Sequence, residues 1–510
     1  MSDSRSKNGL RNILFSFSSS ILTVLLSFIT RTVFIHFLDN EYLGLNGLFS
    51  NVLSFLSLAE LGIGFAINYA LYQPLKENDT SKLKSLMRLY KRLYTIIGII
   101  VLVLGALLTP FLNYLIKEPP KNVKHLHLYF LLFVFNSGVS YFCTYKRSLI
   151  ICDQKEYIST ISMTISKIVL IVLQLVILFF THSFLLYTIS ILVCTIGENL
   201  IISYIANKMY PFLTEKEVLP LSDDEKDNIK KNVYALILHK IGGAIVFSSD
   251  NIIISKFVGL VSVGLYSNYT LIINSIDNIL KKMFSTLTSS VGNLMASNND
   301  EEVIERLFYR MLYANMCLYG ISSICILNIM EPFIKIWLGK NFLIPFPALL
   351  AASISFYFTG MRKTVMIFKD AAGIFQQDKY KPLIESIVNV AFSIPFAIKF
   401  GIAGVLVGTI LSTLLVSFWV EGYVLFKHKF KKMFWKYLLV QLKYFIIVAI
   451  TASVCIYILS FIQGEGILHF IIKVIIVGLV SIISILISSF YTDEFKYFLF
   501  FFGNKIKKKR

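Results

Sequence analysis

Charge is scarce in this chain: Asp, Glu, Lys and Arg make up 15% of 510 residues, against roughly 25% in an ordinary soluble domain. Long polar stretches are scarcer still. The longest, near 208–232, is mixed in sign, as in LSDDEKDNIKKN (221–232). The net charge of +19 therefore has no folded soluble surface to display it to a duplex, and nucleic acid is excluded as a partner. Six cysteines, Cys143, Cys152, Cys194, Cys317, Cys325 and Cys455, all fall in or beside apolar runs, and none forms C-x-x-C. They read as helix-packing residues, without a disulfide framework or a metal site. No G-x-x-x-x-G-K-[ST], H-E-x-x-H or nucleophile elbow occurs, so neither a P-loop nor a familiar hydrolytic centre is encoded. No cofactor is expected.

What is present is apolar length. Hydrophobic residues make up 56% of the chain and the mean hydropathy is +0.70. Apolar runs of about twenty residues, the length a bilayer core demands of a helix, recur from end to end. Expected spans are 11–36, 42–72, 93–116, 127–151, 157–180, 183–207, 233–256, 262–290, 308–330, 343–368, 382–399, 402–426, 438–460 and 468–490. The first follows MSDSRSKNGLRN with no short h-region or small-residue cleavage site, and is expected to be retained as a signal-anchor. The joints 38–41 and 181–182 are too short to hold a domain, which makes successive spans antiparallel hairpins.

With the N-terminus inside, the cytoplasmic segments hold 35 Lys and Arg and the outer segments 7. That bias is what the positive-inside rule expects of an all-α, multi-pass protein with both ends in the cytoplasm. The basic loop 76–92 and the tail 505–510 need no more than topology and attraction to anionic lipid. Outer loops of about a dozen residues leave no room for the catalytic loop of a membrane polymerase, so an enzyme is not expected.

The two halves resemble each other. Leu43-Gly44-Leu45 recurs as Val263-Gly264-Leu265, YKRLY (90–94) as YRMLY (309–313), Tyr141-Phe142 as Tyr357-Phe358, and QKEY (154–157) as QDKY (377–380). The matches keep one order, at offsets of 216 to 223. Six helices return the chain to the cytoplasm, so both copies start inside and the repeat is parallel. The expected organisation is an N-lobe at 1–207, a cytoplasmic linker at 208–232 and a C-lobe at 233–426. Two further spans and a basic tail follow at 427–510. Such parallel repeats place a substrate cavity between their halves and work by rocking them.

Ionisable residues at membrane depth cost about 2.5–3.5 kcal/mol each on insertion scales, so each is a functional candidate. The basic set is Arg31, Lys167, Lys240, Lys281, Lys282, Lys443 and Lys473; the acidic set is Glu60, Glu198, Asp250 and Asp277. Arg31 and Lys240 lie on the first helix of each repeat and could anchor an anionic substrate, Arg gripping phosphate bidentately. Snorkelling to the nearer interface is the structural alternative. Asp277 and Lys281, four apart, predict an ion pair, and Lys281 is also a cavity candidate by position. Glu60 and Asp250 could take a proton or Na⁺ for coupling, or neutralise Arg31. Glu385 and Glu421 lie near inner span ends and are expected to be solvated. Asn46, Asn51, Asn68, Asn268, Asn315 and Asn389 suit either interhelical hydrogen bonds or sugar hydroxyls. Gly404 and Gly408 suit close packing or bending.

The runs EYLGLNGLFSNVLSFLSLAELGIGFAINYALYQPL (41–75) and LHKIGGAIVFSSDNIIISKFVGLVSVGLYSNY (238–269) resemble the polysaccharide-transporter branch of the multidrug/oligosaccharidyl-lipid/polysaccharide exporter superfamily. Within it they are most similar to Wzx-type flippases of Gram-positive bacteria. FIKIWLG (333–339) and YKRSLIICDQKEY (145–157) add to the likeness, which spans helices 1–12. The resemblance implies two six-helix lobes, alternating access and a bacterial plasma membrane. It also implies an undecaprenyl-pyrophosphate-linked oligosaccharide as cargo for capsule, exopolysaccharide or a related polymer. Basic cavity residues would hold the pyrophosphate, Arg31 being the position it carries over. It implies a monomer among membrane lipids, working beside glycosyltransferases and a polymerase. A multidrug–cation antiporter of the same superfamily is the alternative; its cavity should be acidic, and Arg31 and Lys240 count against it. A glycan polymerase is the third reading, opposed by the short outer loops.

Overall fold

In a bilayer the backbone finds no water, so each spanning segment must satisfy its own N–H and C=O groups, and a chain this apolar folds into helices. The computed structural model describes residues 2–60, 63–118, 120, 123, 125–215, 219–221, 227, 249–297, 300–374, 377–430, 434–462 and 464–507. Among the described residues it is all-α, with no strand. The first half contains α1 (Ser2–Phe37), α2 (Asn40–Leu56), α3 (Ile63–Glu77), α4 (Thr80–Leu108), α5 (Leu126–Tyr141), α6 (Thr144–Cys152), α7 (Glu156–Thr181) and α8 (Phe184–Met209). The second contains α9 (Leu260–Ser297), α10 (Glu301–Trp337), α11 (Phe346–Ala371), α12 (Lys381–Ser412), α13 (Trp419–Leu425), α14 (Phe434–Ser460), α15 (Ile467–Ser489) and α16 (Asp493–Lys507).

Local chemistry sets the joints. The 181–182 turn closes because His182 adopts a left-handed conformation (φ 52°) and Ser183 caps α8, its hydroxyl accepting from the Leu186 N–H. Asp79 caps α4 and Asp300 caps α10 in the same manner. The expected second span is broken: α2 ends in a 3₁₀ turn, Ser57–Glu60, before α3 begins. The two spans expected at 382–399 and 402–426 meet at one residue, Gly401, whose positive φ of 62° reverses the chain. The returning limb then packs so closely that a Cβ on Gly404 would collide with the Phe396 carbonyl oxygen. One on Gly408 would collide with the Ser393 hydroxyl. This is small-residue packing with four-residue spacing.

Eight helical stretches among the described residues are long and apolar enough to cross a membrane, or nine if α5 and α6, bent by 43°, act as one span. The most apolar, α15, has a mean hydropathy of 3.0 with only 17% of its window buried, as expected when lipid is the solvent. The other expected spans coincide with the charge-bearing α2–α3, α9 and α11, and with the two limbs of the Lys381–Phe430 stretch. The remaining one, expected at 233–256, lies outside the described residues up to residue 248.

The described chain divides into two compact units, Met1–Ser267 and Asn268–Arg510, the division falling within α9. The first unit has two aromatic-rich cores. Phe34, Phe49, Phe130, Phe133 and Phe184 form one; Tyr90, Tyr94, Tyr141 and Tyr145 form the other. Residues 249–267 pack onto it: the Lys117 N–H bonds the Ser255 carbonyl at 3.1 Å, and a Cβ on Gly44 would collide with the Leu260 carbonyl oxygen. Gly264, the repeat counterpart of Gly44, sits in the same contact, since a Cβ on it would lie 3.2 Å from the Gly44 nitrogen. The second unit centres on Phe308, edge-on to Phe368, Phe426 and Phe430 and close to Tyr437. Its C-terminal α16 is fastened to α10 by the Arg310 guanidinium, 3.6 Å from the Tyr497 ring centroid.

Candidate functional site

Ionisable groups on spanning helices must turn away from lipid. In the first unit a cation on the apolar α1 and a carboxylate between α2 and α3 do not pair with each other. Arg31 is half-buried and lies roughly 9 Å from the last residue of α1 by helical rise. Its guanidinium donates to the Ser267 hydroxyl at 2.9 Å, and the Ser267 O–H in turn donates to the Gly264 carbonyl at 2.7 Å. Tyr187 of α8 lies beside it, stacked on Phe184 and edge-on to Phe34. Among the described residues no carboxylate comes within ion-pair distance of Arg31. A charge-bearing guanidinium held by one hydroxyl retains most of its donors for an anion.

Glu60 ends the 3₁₀ turn between α2 and α3. The Tyr94 hydroxyl donates to its carboxylate at 2.5 Å, and Tyr141 lies in reach as well. Tyr90 completes the cluster by donating to Ser148 at 3.0 Å. Gly64 keeps the space open, since a Cβ there would lie 2.5 Å from the Tyr94 hydroxyl. Among the described residues the partners of Glu60 are hydroxyls and not cations. Such a carboxylate can accept a proton, or share its oxygens with a small cation. Asp250, the other coupling candidate, is half-buried near Tyr266 and is not free of partners. Lys240 lies outside the described residues.

In the second unit the spacing argument holds: Lys281 pairs with Asp277, and the Tyr319 hydroxyl donates to the other carboxylate oxygen at 3.0 Å. Glu385 and Glu421 depart from expectation. They are not solvated but 4% and 1% exposed. Arg362 grips Glu421 bidentately, at 3.0 and 2.9 Å, and reaches Glu385 at 3.2 Å; Lys381 binds Glu421 from the other side. Lys369 and Asp378 form a second buried pair nearby. Near a span end a charge can be buried by neighbouring helices as readily as it can reach water, and helix periodicity does not distinguish the two.

The first unit has a counterpart, Arg147 of α6 with Glu198 of α8, flanked by Lys146 on the Ser203 hydroxyl at 2.5 Å. Arg147 and Arg362 stand 215 residues apart, and Glu198 and Glu421 stand 223 apart. The repeat thus carried a signal for these pairs, because like residues recur at like positions in both halves. They tie helices within each unit together, and the carboxylates neutralise Arg362 where none neutralises Arg31 among the described residues. All six cysteines are unbridged, and among the described residues no cluster of His, Cys, Asp and Glu could hold a metal ion.

A helical membrane protein with unpaired cations and hydroxyl-held carboxylates at membrane depth has the attributes of a transporter. Comparison gives it a family: the profile described as "Polysaccharide biosynthesis protein" matches residues 10–288, more than half of the chain, and the protein belongs to that family. Among solved structures it is similar to the lipid II flippase MurJ in an inward closed conformation. There the TM-score is 0.67 at 15% identity, over 94% of this chain and 99% of that one. It is also similar to a mutant of the Vibrio cholerae MATE transporter VcmN (TM-score 0.59, 14% identity, 85% and 99% covered). An inward-facing multidrug resistance MATE transporter of the MOP superfamily matches comparably (0.59, 13%, 79% and 95%). At these identities the likeness is one of fold. No curated protein sequence matches. The family is one of polysaccharide biosynthesis proteins, and the fold is one shared with multi-pass membrane transporters.

Proposed function

We propose that the protein carries a polyprenyl-diphosphate-linked oligosaccharide from the inner to the outer leaflet by alternating access. Its product would feed polymer assembly, such as capsule or exopolysaccharide, outside the cell. The observation that carries the reading is Arg31: a guanidinium at membrane depth, held by Ser267 alone and facing no carboxylate among the described residues. A diphosphate head group needs such a cation, while the polyprenyl tail can remain in lipid, so only the head must cross. A multidrug–cation antiporter would place acidic groups where Arg31 stands. Glu60 is the coupling residue in this proposal, taking a proton or Na⁺ among the tyrosine hydroxyls.

Arg31→Ala is expected to abolish translocation of a labelled undecaprenyl-diphosphate saccharide in proteoliposomes while insertion and monodispersity are retained. Arg31→Lys should keep partial activity, since a point charge replaces a bidentate fork. Normal transport by both Arg31→Ala and Arg31→Glu would sink the cationic-anchor reading.

A further inference from the structure

The chain beyond α15 does not form another span. Thr492 ends the turn after α15, its hydroxyl accepting from the Phe495 N–H at 3.3 Å, and α16 begins there as a separate helix. With 15 residues it is about 22 Å long, short of the roughly 30 Å of a bilayer core. Its segment carries Lys496, Lys505, Lys507, Lys508, Lys509 and Arg510 against Asp493 and Glu494. Phe490, Tyr491, Leu499 and Phe500 are exposed on and beside it. A short helix that is both apolar and basic lies in the interface of an anionic membrane.

This helix does not sit flush on the bundle. Phe495 is buried and the Phe498 ring meets Tyr313 of α10 at 6.1 Å, yet a cleft of about 450 Å³ remains beneath them. Tyr313, Cys317 and Leu318 of α10, Leu486 of α15 and Phe498 and Leu499 of α16 line it, and no charged side chain does. An unfilled apolar void forfeits dispersion contacts along its walls, and beside a bilayer the filler at hand is a hydrocarbon chain. One stripe of α10 joins this cleft to a cation. Arg310 lies three residues before Tyr313 and seven before Cys317, on the same face. Its guanidinium lies over the Tyr497 ring at 3.6 Å, which leaves the N–H groups along its edge unused. Among the described residues it makes no hydrogen bond or ion pair, and neither Asp493 nor Glu494 comes within ion-pair distance. Arg310 stands two residues inside the span expected at 308–330, which is headgroup depth, at the end of α10 where α16 docks.

We infer that this cleft is a binding site for an anionic phospholipid of the surrounding leaflet, one acyl chain lying along Tyr313, Cys317 and Leu318 and the phosphate on Arg310, with α16 closed over the chain. The ligand is a resident lipid and not the transported one. The site is built only from second-unit residues, uses neither Arg31 nor Glu60, and stands whether or not the flippase reading does. A planar guanidinium fixes a phosphate in one pose, which suits a lipid that stays. A zwitterionic headgroup offers the same phosphate but brings an ammonium to a region that already holds Arg310, Lys496 and the basic tail, so an anionic headgroup is preferred. Bound there, the lipid fills the gap between α10 and α16 and secures the helix to the bundle.

The deciding experiment is photolabelling of the full chain in proteoliposomes by phosphatidylglycerol and by phosphatidylcholine, each with a diazirine at the same acyl position, followed by peptide mass spectrometry. In wild type, phosphatidylglycerol should label the peptides holding 313–318 and 495–499 about fivefold more than phosphatidylcholine, the effect of one basic charge near the membrane surface. Arg310→Gln should bring phosphatidylglycerol down to the phosphatidylcholine level and leave phosphatidylcholine labelling unchanged, which shows that the cleft is still formed. Arg310→Lys should keep most of the preference. Ala314→Trp fills the cleft and should reduce labelling by both lipids; if that variant does not fold, Arg310→Gln with its two probes decides alone. Equal labelling by the two lipids in wild type, labelling confined to other peptides, or a preference that survives Arg310→Gln would overturn the site. Loss of labelling in the presence of undecaprenyl diphosphate would make the cleft part of the cargo's path and overturn the resident-lipid inference as well.

Discussion

Arg362 shows what a buried charge does when its partners are complete. Its guanidinium satisfies two carboxylates, and Lys381 neutralises the surplus on Glu421. Removing one member leaves the others charged in a dry site, at a cost of about 3–5 kcal/mol. Glu421→Ala is therefore expected to lower the thermal midpoint sharply and reduce folded yield, measured by fluorescence-detected size exclusion. The quadruple change Arg362→Met, Lys381→Met, Glu385→Met, Glu421→Met should recover much of the loss, because no uncompensated charge remains. Arg31 should behave in the opposite way: its replacement should affect transport and leave the thermal midpoint nearly unchanged. The sequence placed Arg31 at depth and Glu385 and Glu421 near inner span ends, but it did not single out Arg362 or show any of their partners. Arg31 and Arg362 look alike in a hydropathy plot, and only the neighbouring helices make one paired and the other open.

At the scale of elements, glycine decides how closely helices approach. Gly404 sits against the Phe396 carbonyl and Gly408 against Ser393, on limbs joined by the single left-handed residue Gly401. Gly404→Val would force backbone apart and is expected to abolish folded protein. Gly478 of α15, with nothing within 4 Å of its Cβ position, should accept Ala without loss in the same assay. The spacing of Gly404 and Gly408 announced a close contact, and the repeat announced Gly44 and Gly264. That the repeat-related glycines meet each other was not legible, since sequence repetition carries no distance. The 3₁₀ turn Ser57–Glu60 was not legible either: the run 42–72 is apolar enough to read as one span, and only the fold shows the Glu60 carboxylate bound by tyrosine at that turn.

For the whole molecule, the predictions concern direction and drive. Single cysteines introduced at residue 3 and residue 508 of a cysteine-free variant should react with an impermeant maleimide only after permeabilisation. One at residue 120 should react in intact cells. The reverse pattern would invert the topology. In proteoliposomes, an imposed proton or Na⁺ gradient should accelerate translocation, and Glu60→Gln should remove the acceleration while leaving gradient-free exchange. Indifference of wild type to both gradients would remove Glu60 from coupling.

By itself the sequence determined that this is an all-α membrane protein, because its apolar runs have the length of a spanning helix and such a helix satisfies its own backbone. It also placed the charges at depth, since residue count along a helix converts directly into distance across the membrane. Tertiary structure alone decided which of those charges are spent. Glu385 and Glu421 are consumed by Arg362, Asp277 is shared by Tyr319 and Lys281, and Arg31 faces no carboxylate among the described residues. The reason is physical: pairing depends on which helix faces meet, and contacts between helices far apart in the chain are written in packing and not in periodicity.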